Sequence, residues 1–274
     1  MRIQDNVFFV TGGGSGLGQA TVDELIKRGA AGVCVMDFDE DAQDRIIQKY
    51  DQKRVLFQLC DVRSENDVKS AIEHARSKWP SHAIGGVVHC GGRGMAGKTV
   101  GNDGEPWSLD LYRDIVDINL VGSFNVARLV AAQIVATSPK LPKSSTSANA
   151  AASQVKDDCG VIILTSSVSA TEGQMGQVGY ASSKAGVEGL VLPMARDLAR
   201  YGIRVVCIAP SLFSTAMGAG TSDKVKQGLL NSTLFPQRFG EPPEFAHLAC
   251  AIVENTYING TTIRIDGGSR MSKF

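Results

Sequence analysis

The stretch NVFFVTGGGSGLG, Asn6 to Gly18, decides the fold that the sequence predicts. An apolar run of strand length enters a glycine-rich turn, and an amphipathic segment of helix length follows. Glycines let the backbone approach a pyrophosphate, and the start of a helix supplies free N–H donors and the positive end of the helix dipole. The stretch therefore predicts a dinucleotide-binding turn, against the alternative of a glycine-rich turn without a ligand.

The same alternation of elements continues along the chain. The further strand-length apolar runs are AGVCVMDF (31–38), RVLFQLCDV (54–62), GGVVHCG (85–91), GVIILTSS (160–167), IRVVCIAP (203–210) and TTIRIDGG (261–268). Amphipathic segments separate them, including one long helix predicted over 109–136. The pattern predicts an α/β fold, a single doubly wound parallel sheet of the Rossmann type with about seven strands flanked by helices. We expect residues 1–274 to form one domain.

Two segments depart from this alternation. Residues 137–158 are rich in Ser, Ala, Lys and Pro and lack periodicity, so we expect an exposed surface insertion. Residues 211–240 follow the sixth predicted strand, and loops at the carboxyl ends of strands cover the ligand in doubly wound folds. This second segment is the predicted substrate lid.

The overall composition limits the partners and the compartment. Acidic and basic residues balance at 28 each, which gives no argument for a nucleic-acid or membrane partner. The six cysteines include no C-x-x-C pair, so we expect reduced core residues. No uninterrupted apolar run approaches transmembrane length, and the apolar run VFFV starts too early for a cleaved leader. We expect a cytoplasmic protein, with the mitochondrial matrix as the alternative.

Acidic residues at strand ends suggest how a dinucleotide would be held. The turn glycines Gly12, Gly16 and Gly18 follow a G-x-x-x-G-x-G spacing, and Asp37 closes the second strand. A carboxylate there can accept hydrogen bonds from the adenosine ribose and would repel a 2′-phosphate, and the next residue, Phe38, cannot bind one. We therefore predict NAD rather than NADP. The alternative for Asp37 is a helix cap or a solvated carboxylate.

Two further strand ends face the same predicted crevice. Asp61 follows the third strand and could accept a hydrogen bond from the adenine amino group, although aspartate at a strand end is also a common turn former. The sequence HCGG, His89 to Gly92, closes the fourth strand, and its glycines would let the backbone pass close to the cofactor. We interpret His89 as a satisfied core residue and Arg93 as a surface arginine.

The stretch GYASSKAG, residues 179–186, places Tyr180 and Lys184 one helical turn apart. Hydride transfer from an alcohol requires a base for the hydroxyl proton, and a free phenol with a pKa of about 10 is a poor base at neutral pH. A neighbouring ammonium would stabilise the phenolate and lower its pKa. Ser167 could position the substrate oxygen, and Asn119 could support a proton path behind the lysine. The alternative is a Tyr and a Lys on an exposed helix face.

These residues resemble the motifs of the short-chain dehydrogenase/reductase family, and the resemblance covers essentially the whole chain. The family's T-G-x-x-x-G-x-G begins here at Thr11, and its catalytic Asn, Ser, Tyr and Lys correspond to Asn119, Ser167, Tyr180 and Lys184. Within the family, SSVSATEGQMGQVGYASSKAG and YINGTTIRIDGGSRM are similar to the type-2 3-hydroxyacyl-CoA dehydrogenases, which also act on hydroxysteroids. Enzymes of this family are usually homotetramers, so the resemblance implies self-association.

The resemblance also implies a full set of cofactor contacts. Those positions are Gly12, Ser15, Gly16, Leu17, Gly18, Asp37, Asp61, Val62, Cys90, Gly91, Tyr180, Lys184, Pro210, Phe213 and Thr215. No metal site is expected. The chain departs from the family where N-N-A-G becomes HCGG at 89–92, where P-G becomes Pro210-Ser211, and where 137–158 is enlarged.

The chemistry of the lid bears on the substrate. Its apolar residues Leu212, Phe213, Met217, Leu229, Leu230, Leu234 and Phe235 would suit a fatty chain or a steroid better than a polyol. Some of them, Leu229 and Leu230 above all, could instead pack the lid onto the sheet. We expect NAD-dependent oxidation of a 3-hydroxyacyl-CoA to the 3-ketoacyl-CoA or its reverse. The alternatives are a hydroxysteroid, carbonyl or polyol dehydrogenase of the same fold, and a non-catalytic NAD-binding scaffold.

Overall fold

The computed structural model describes residues 1–138, 157–215, 228 and 230–270. Within them, seven strands form one parallel sheet in the order β3-β2-β1-β4-β5-β6-β7, which confirms the predicted fold class. The strands are β1 (Asn6–Thr11), β2 (Gly32–Asp37), β3 (Val55–Leu59), β4 (Ala83–His89), β5 (Gly160–Thr165), β6 (Ile203–Pro210) and β7 (Thr261–Ile265). The strand order reverses between β1 and β4, so the ligand crevice lies at their carboxyl ends.

Helices cover both faces of the sheet. They are α1 (Gly16–Lys27), α2 (Asp41–Lys49), α3 (Glu65–Lys78), α4 (Leu109–Val116), α5 (Gly122–Thr137), α6 (Ser169–Glu172), α7 (Val178–Ala199) and α8 (Pro242–Glu254). Helices α3, α5 and α7 contribute to one core cluster, and α1, α2 and α8 contribute to the other. Neighbouring strand residues alternate between the clusters, as Phe8 and Phe9 do. Because both faces are buried, the strands are continuous apolar runs.

The long helix predicted over 109–136 is not uniform. Asp117–Val121 forms a π-helical turn between α4 and α5, and the buried residue Asn119 lies within it. A π turn inserts one residue into the helical register and is often found at functional sites. The apolar pattern could not reveal it, since one extra residue leaves the surrounding periodicity nearly unchanged.

The helical stretch Leu109–Thr137 is similar to a membrane helix in length and apolar composition. Among the described residues, it alone is long and apolar enough to cross a bilayer by length and composition. Core helices of soluble proteins meet the same criterion, and Val126 and Ile134 of this stretch are buried in the core cluster that covers one face of the sheet. Its length and composition are therefore weak evidence for a membrane span.

Most of the predicted insertion falls outside the described residues, which omit 139–156, and the predicted lid lacks residues 216–227 and 229. Met217 and Leu229 are among the omitted positions. Phe213 was predicted to contact the cofactor and line the lid, but its side chain is 8% exposed and packs edge to face on Phe245, with ring centroids 6.4 Å apart. The Phe213 side chain thus completes a core cluster, and its contact with the cofactor stays a prediction. Phe235, in contrast, is 83% exposed.

Candidate active site

A cleft of about 530 Å³ lies at the carboxyl ends of β1 to β4, where the fold predicts a dinucleotide. Most of the predicted cofactor residues line it. They are Gly12, Ser15, Gly16, Leu17, Gly18, Asp37, Asp61, Val62, Cys90, Gly91 and Thr215. The structure therefore brings together residues from five separate parts of the sequence at one opening.

The glycine-rich turn is packed so closely that a side chain would fill it. A Cβ atom on Gly18 would lie 2.1 Å from the Gly12 carbonyl oxygen, a distance that backbone atoms cannot tolerate. Helix α1 begins at Gly16, and the Ser15 side chain does not cap it. The first amides of α1 are thus left for a ligand, and a pyrophosphate fits this turn.

Asp37 is held in a fixed orientation at the end of β2. Its Oδ2 accepts a hydrogen bond from Gly14 N at 2.8 Å, and its Oδ1 accepts one from Asp39 N at 3.0 Å. Both donors are backbone groups, so the carboxylate is positioned before any ligand arrives. Each oxygen retains acceptor capacity for ribose hydroxyls.

Asp61 lines the cleft as predicted, but its carboxylate is already engaged by Arg63. The Arg63 guanidinium donates to Asp61 Oδ2 through Nη2 at 2.7 Å, and Arg63 Nε lies 3.0 Å from both carboxylate oxygens. This hydrogen bonding lowers the pKa of Asp61. A hydrogen bond from the adenine amino group to Asp61 would therefore compete with the bonds that Arg63 donates to the same carboxylate.

The predicted catalytic residues meet beside the cleft. Lys184 is buried, and its Nζ donates to the Thr165 carbonyl oxygen at 2.8 Å. The same Nζ lies 5.9 Å from the centroid of the Tyr180 ring. Ser167 follows β5 and forms a hydrogen bond with the Tyr180 side chain. A phenol, a hydroxyl and an ammonium thus occupy one corner of the site.

The electrostatics of this corner differ from the prediction that Lys184 lowers the pKa of Tyr180. Burial raises the pKa of the Tyr180 phenol, and the hydrogen bond with Ser167 opposes this only in part. Burial lowers the pKa of Lys184 to about 8. For Tyr180, loss of hydration outweighs the hydrogen bond with Ser167, so the phenol is protonated at neutral pH.

Asn119 connects the π-helical turn to both halves of the site. Its side chain accepts from Arg93 N at 2.8 Å and donates to Arg93 O at 3.0 Å. It also donates to Ser183 Oγ at 3.0 Å, and Ser183 in turn donates to the Tyr180 carbonyl at 2.8 Å. A Cβ on Gly92 would lie 3.1 Å from Asn119 Oδ1 and 3.3 Å from Lys184 Nζ. Gly92 therefore joins the cleft to the catalytic corner.

Two further predicted cofactor residues, Thr215 and Pro210, differ in their position relative to the cleft. Thr215 lines the cleft, and its Cγ2 lies 3.2 Å from the position of a Cβ on Gly16. Pro210 is buried at the end of β6, where its carbonyl accepts from Val168 N at 3.0 Å, and it is not among the residues that line the cleft.

The departure HCGG creates a polar link between β1 and β4. Thr11 Oγ1 lies 2.8 Å from His89 Nδ1 and accepts from Gly91 N at 2.9 Å. Burial lowers the pKa of His89 to about 3, so the imidazole is neutral. His89 Nε2 is buried and has no hydrogen-bond partner within the described part of the chain. His89 is therefore a core residue, as we interpreted it, but the interpretation of a fully satisfied histidine is wrong for Nε2.

Three residues that line the cleft were not among the predicted site residues. Arg63, Asp114 and Ile118 line it beside the predicted residues. Arg63 follows the predicted pair Asp61-Val62 directly, and this adjacency is the one signal that could have found it. Asp114 and Ile118 come from the helical stretch after β4, which no motif links to the cleft. In the described ranges, no group of three or more His, Cys, Asp or Glu side chains is arranged to hold a metal.

Lys184 should make stability depend on pH in a defined window. Because its pKa falls from 10.5 to about 8 on folding, the unfolded chain binds the extra proton between these values, and stability rises with pH there. Relative to Lys184→Met, the free energy of unfolding of the natural protein should gain about 2 kcal/mol between pH 7 and pH 9.5. Urea unfolding of both proteins at the two pH values measures this difference. A difference independent of pH would show that folding does not lower the pKa of Lys184.

Comparison with known proteins agrees with this geometry. A family model described as short chain dehydrogenase matches residues 6–140, and one described as enoyl-(acyl carrier protein) reductase matches residues 143–270. The chain is 42% identical to a 3-hydroxyacyl-CoA dehydrogenase type-2 of Drosophila melanogaster, over 98% of this chain and 99% of that protein.

Two solved structures are similar to this chain along nearly its whole length. The crystal structure of a 3-hydroxyacyl-CoA dehydrogenase type-2 from Mycobacterium avium is 34% identical and superimposes with a TM-score of 0.85, covering 98% of this chain and 97% of the other. A 7α-hydroxysteroid dehydrogenase complexed with NADH and 7-oxo glycochenodeoxycholic acid shares the fold at 24% identity, with a TM-score of 0.82 over 99% and 96% of the two chains. The chain is thus an oxidoreductase with a nicotinamide cofactor, and it belongs to the short-chain dehydrogenase family.

Proposed function

We propose that this protein is an NAD-dependent dehydrogenase that interconverts 3-hydroxyacyl-CoA and 3-ketoacyl-CoA. The observation that carries the proposal is the meeting of Ser167, Tyr180 and Lys184 beside the cofactor cleft. The similarity to proteins named 3-hydroxyacyl-CoA dehydrogenase type-2 supports the substrate class.

Each catalytic side chain has a role that its contacts support. Tyr180 exchanges a proton with the substrate oxygen, and Ser167 holds that oxygen by a hydrogen bond. Lys184 supplies a positive charge behind the phenol, and Asn119 keeps the helix around Tyr180 in place through Ser183. A nicotinamide cofactor bound in the cleft would give or take the hydride. The protonated phenol of Tyr180 is the form that donates a proton to a ketone oxygen during reduction.

The substrate test is reduction of acetoacetyl-CoA with NADH at pH 7, followed by NADH absorbance. We expect turnover of this short acyl-CoA, with a hydroxysteroid as the runner-up substrate. Activity on sugars or polyols with none on acyl-CoA or steroid would replace the proposed substrate class. Cofactor binding with no turnover on any alcohol or ketone would instead favour a non-catalytic scaffold.

The choice of NAD over NADP rests on Asp37. Its fixed carboxylate would accept hydrogen bonds from the ribose hydroxyls and repel a 2′-phosphate. We expect kcat/KM with NADH to exceed that with NADPH by at least about tenfold, or about 1.4 kcal/mol.

The variant Asp37→Ala tests this role. It removes both the acceptor for the ribose hydroxyls and the charge that would repel a 2′-phosphate. The ratio of kcat/KM for the two cofactors should fall toward one in this variant. Asp39→Ala, on the same loop, is the control, because Asp39 pairs with Arg45. An unchanged ratio in Asp37→Ala would remove Asp37 from cofactor selection.

We further propose a homotetramer and a cytoplasmic location for a protein that folds as one domain. A groove of about 460 Å³ between α5 and α7 exposes apolar side chains such as Phe124 and Leu198, which self-association would cover. All six cysteines are free and five are buried, as is usual in reducing compartments. Light scattering of a monomer at micromolar concentration would contradict the tetramer, and cell fractionation separates the cytoplasm from the mitochondrial matrix.

A further inference from the structure

Three side chains of α7 contact three consecutive residues at the end of β5. The side chains of Tyr180, Lys184 and Glu188 are spaced one helical turn apart, so they lie along one side of the helix. The contacting pairs are Tyr180 with Ser167, Lys184 with Thr165, and Glu188 with Ser166. The first two pairs belong to the proposed reaction, whereas the third has no part in it so far.

Ser166 is bonded both to a neighbouring strand and to helix α7. It is 2% exposed, and its backbone N–H donates to the Ile208 carbonyl of β6 at 2.8 Å. Its Oγ lies 2.9 Å from Glu188 Oε1 and 3.0 Å from the Lys184 carbonyl oxygen, both on α7. The residue directly before Ser167 is therefore the point at which the end of β5 is joined to the helix by a side chain.

Glu188 is the strongest acceptor that the Ser166 hydroxyl meets. A serine hydroxyl donates one hydrogen bond, so its acceptors compete. The Lys184 carbonyl accepts from the amide four residues later in α7, and the Ser167 carbonyl lies 3.5 Å from Ser166 Oγ, at the limit of hydrogen bonding. Hydrogen bonds to a carboxylate are roughly twice as strong as those to a neutral acceptor. The bond to Glu188 therefore decides how firmly the helix is held at this point.

The Glu188 carboxylate is directed toward the sheet and away from the neighbouring ammonium. A Glu and a Lys four residues apart on a helix often form an ion pair. Here Lys184 Nζ donates to the Thr165 carbonyl oxygen, and the Glu188 carboxylate accepts from Ser166. Burial raises the pKa of the Cys207 thiol of β6 to about 12, and the charge of Glu188 contributes to this rise. Glu188 thus acts on the strand ends beside the catalytic residues.

We propose that Glu188 is a positioning residue for proton transfer: through Ser166 it holds α7, and with it Tyr180, at a fixed distance from Ser167. The proposal rests on the proposed function, in which Tyr180 and Ser167 bond to the same substrate oxygen. Two groups that share one atom tolerate little relative movement, since a misplacement of about 1 Å can cost about 100-fold in rate. Glu188 is not among the residues that line the cofactor cleft, so it acts through Ser166.

The variant Glu188→Ala tests this role. Alanine is favourable inside a helix, so α7 should remain folded. We expect kcat for acetoacetyl-CoA reduction with NADH to fall by about 10- to 100-fold. The KM for acetoacetyl-CoA and the affinity for NADH should change by less than about twofold, because the substituted side chain lies outside the cleft. Steady-state kinetics and nicotinamide fluorescence, both below the unfolding transition, measure these quantities.

A conservative variant and a matched control accompany this substitution. Glu188→Gln keeps an oxygen that can accept from Ser166, so its kcat should stay within about threefold of that of the natural protein. Asp197→Ala removes an exposed carboxylate from the last turn of the same helix and should leave kcat unchanged.

A double variant shows whether Glu188 acts through Ser166. Ser166→Ala removes the other partner of the bond. If the two residues act through this bond, Ser166→Ala combined with Glu188→Ala should lose no more of kcat than the larger single loss. Independent effects would multiply, so that two losses of about tenfold would give about 100-fold. Three results would each overturn the proposal: an unchanged kcat in Glu188→Ala, an equal loss in Glu188→Gln, or losses that multiply.

The outcomes also distinguish this inference from the proposed substrate. If the natural protein reduces a steroid ketone but not acetoacetyl-CoA, the substrate assignment is wrong. The role of Glu188 then stands if the same pattern of losses appears with the steroid, and it is wrong if the pattern is absent. If the natural protein reduces no ketone, both the proposed function and this inference are wrong.

Discussion

Replacing Tyr180 by phenylalanine is expected to lower kcat for ketone reduction by about 10²- to 10⁴-fold. The substitution removes the hydroxyl that exchanges the proton and keeps the ring that packs beside Lys184. Without the phenol, the developing alkoxide has no positioned donor apart from Ser167. Steady-state reduction of acetoacetyl-CoA with NADH measures the loss.

The affinity for NADH should change little in Tyr180→Phe, because the glycine-rich turn and Asp37 remain intact. The loss should therefore appear in kcat and not in cofactor binding measured by fluorescence. Tyr257→Phe is the matched control, since the Tyr257 side chain is 99% exposed and does not line the cleft. Turnover of Tyr180→Phe close to that of the natural protein would refute the assigned proton transfer.

Gly18→Ala is expected to weaken NADH binding by about 10- to 100-fold. The added Cβ would lie 2.1 Å from the Gly12 oxygen and 2.6 Å from the Gly12 carbonyl carbon. Both are backbone atoms, so the turn itself must move. Losing one charge-assisted hydrogen bond to a pyrophosphate costs about 1.5–3 kcal/mol. Thermal unfolding should also show a loss of stability, because the start of α1 is displaced from β1.

Gly189→Ala provides the control for Gly18→Ala. Gly189 lies in α7, and a Cβ there would meet no atom within 4 Å. Alanine favours a helix interior over glycine by about 1 kcal/mol, so Gly189→Ala should leave NADH binding unchanged and raise the melting temperature. Equal NADH affinities for Gly18→Ala and the natural protein would show that the turn does not hold the pyrophosphate.

The sheet could be predicted from the sequence because its physical signal is strong and local. A strand buried on both faces must be apolar along its whole length, and NVFFVT of β1 satisfies that requirement. The glycine-rich turn and the pair Tyr180 and Lys184 were recognisable for a related reason. Their chemistry depends on short fixed spacings that the chain displays directly.

The features that escaped prediction depend on contacts between distant parts of the chain. The ion pair between Arg63 and Asp114 joins residues that lie 51 positions apart, so no spacing rule reveals it. Phe213 carries the same apolar signal whether it faces a ligand or, as it does, Phe245. The pKa of Tyr180 is set by burial, which a helical spacing of four residues does not measure.

The bond from Lys184 to the Thr165 carbonyl has a consequence for engineering new substrate ranges. It fastens the lysine of α7 to the last residue of β5, two positions before Ser167. The proton-transfer groups are thus held in position at the end of β5. The predicted lid at 211–240 follows a different strand, β6. Lids could accordingly be exchanged between members of the family as interchangeable modules, altering which ketone is accepted while the proton-transfer groups keep their alignment.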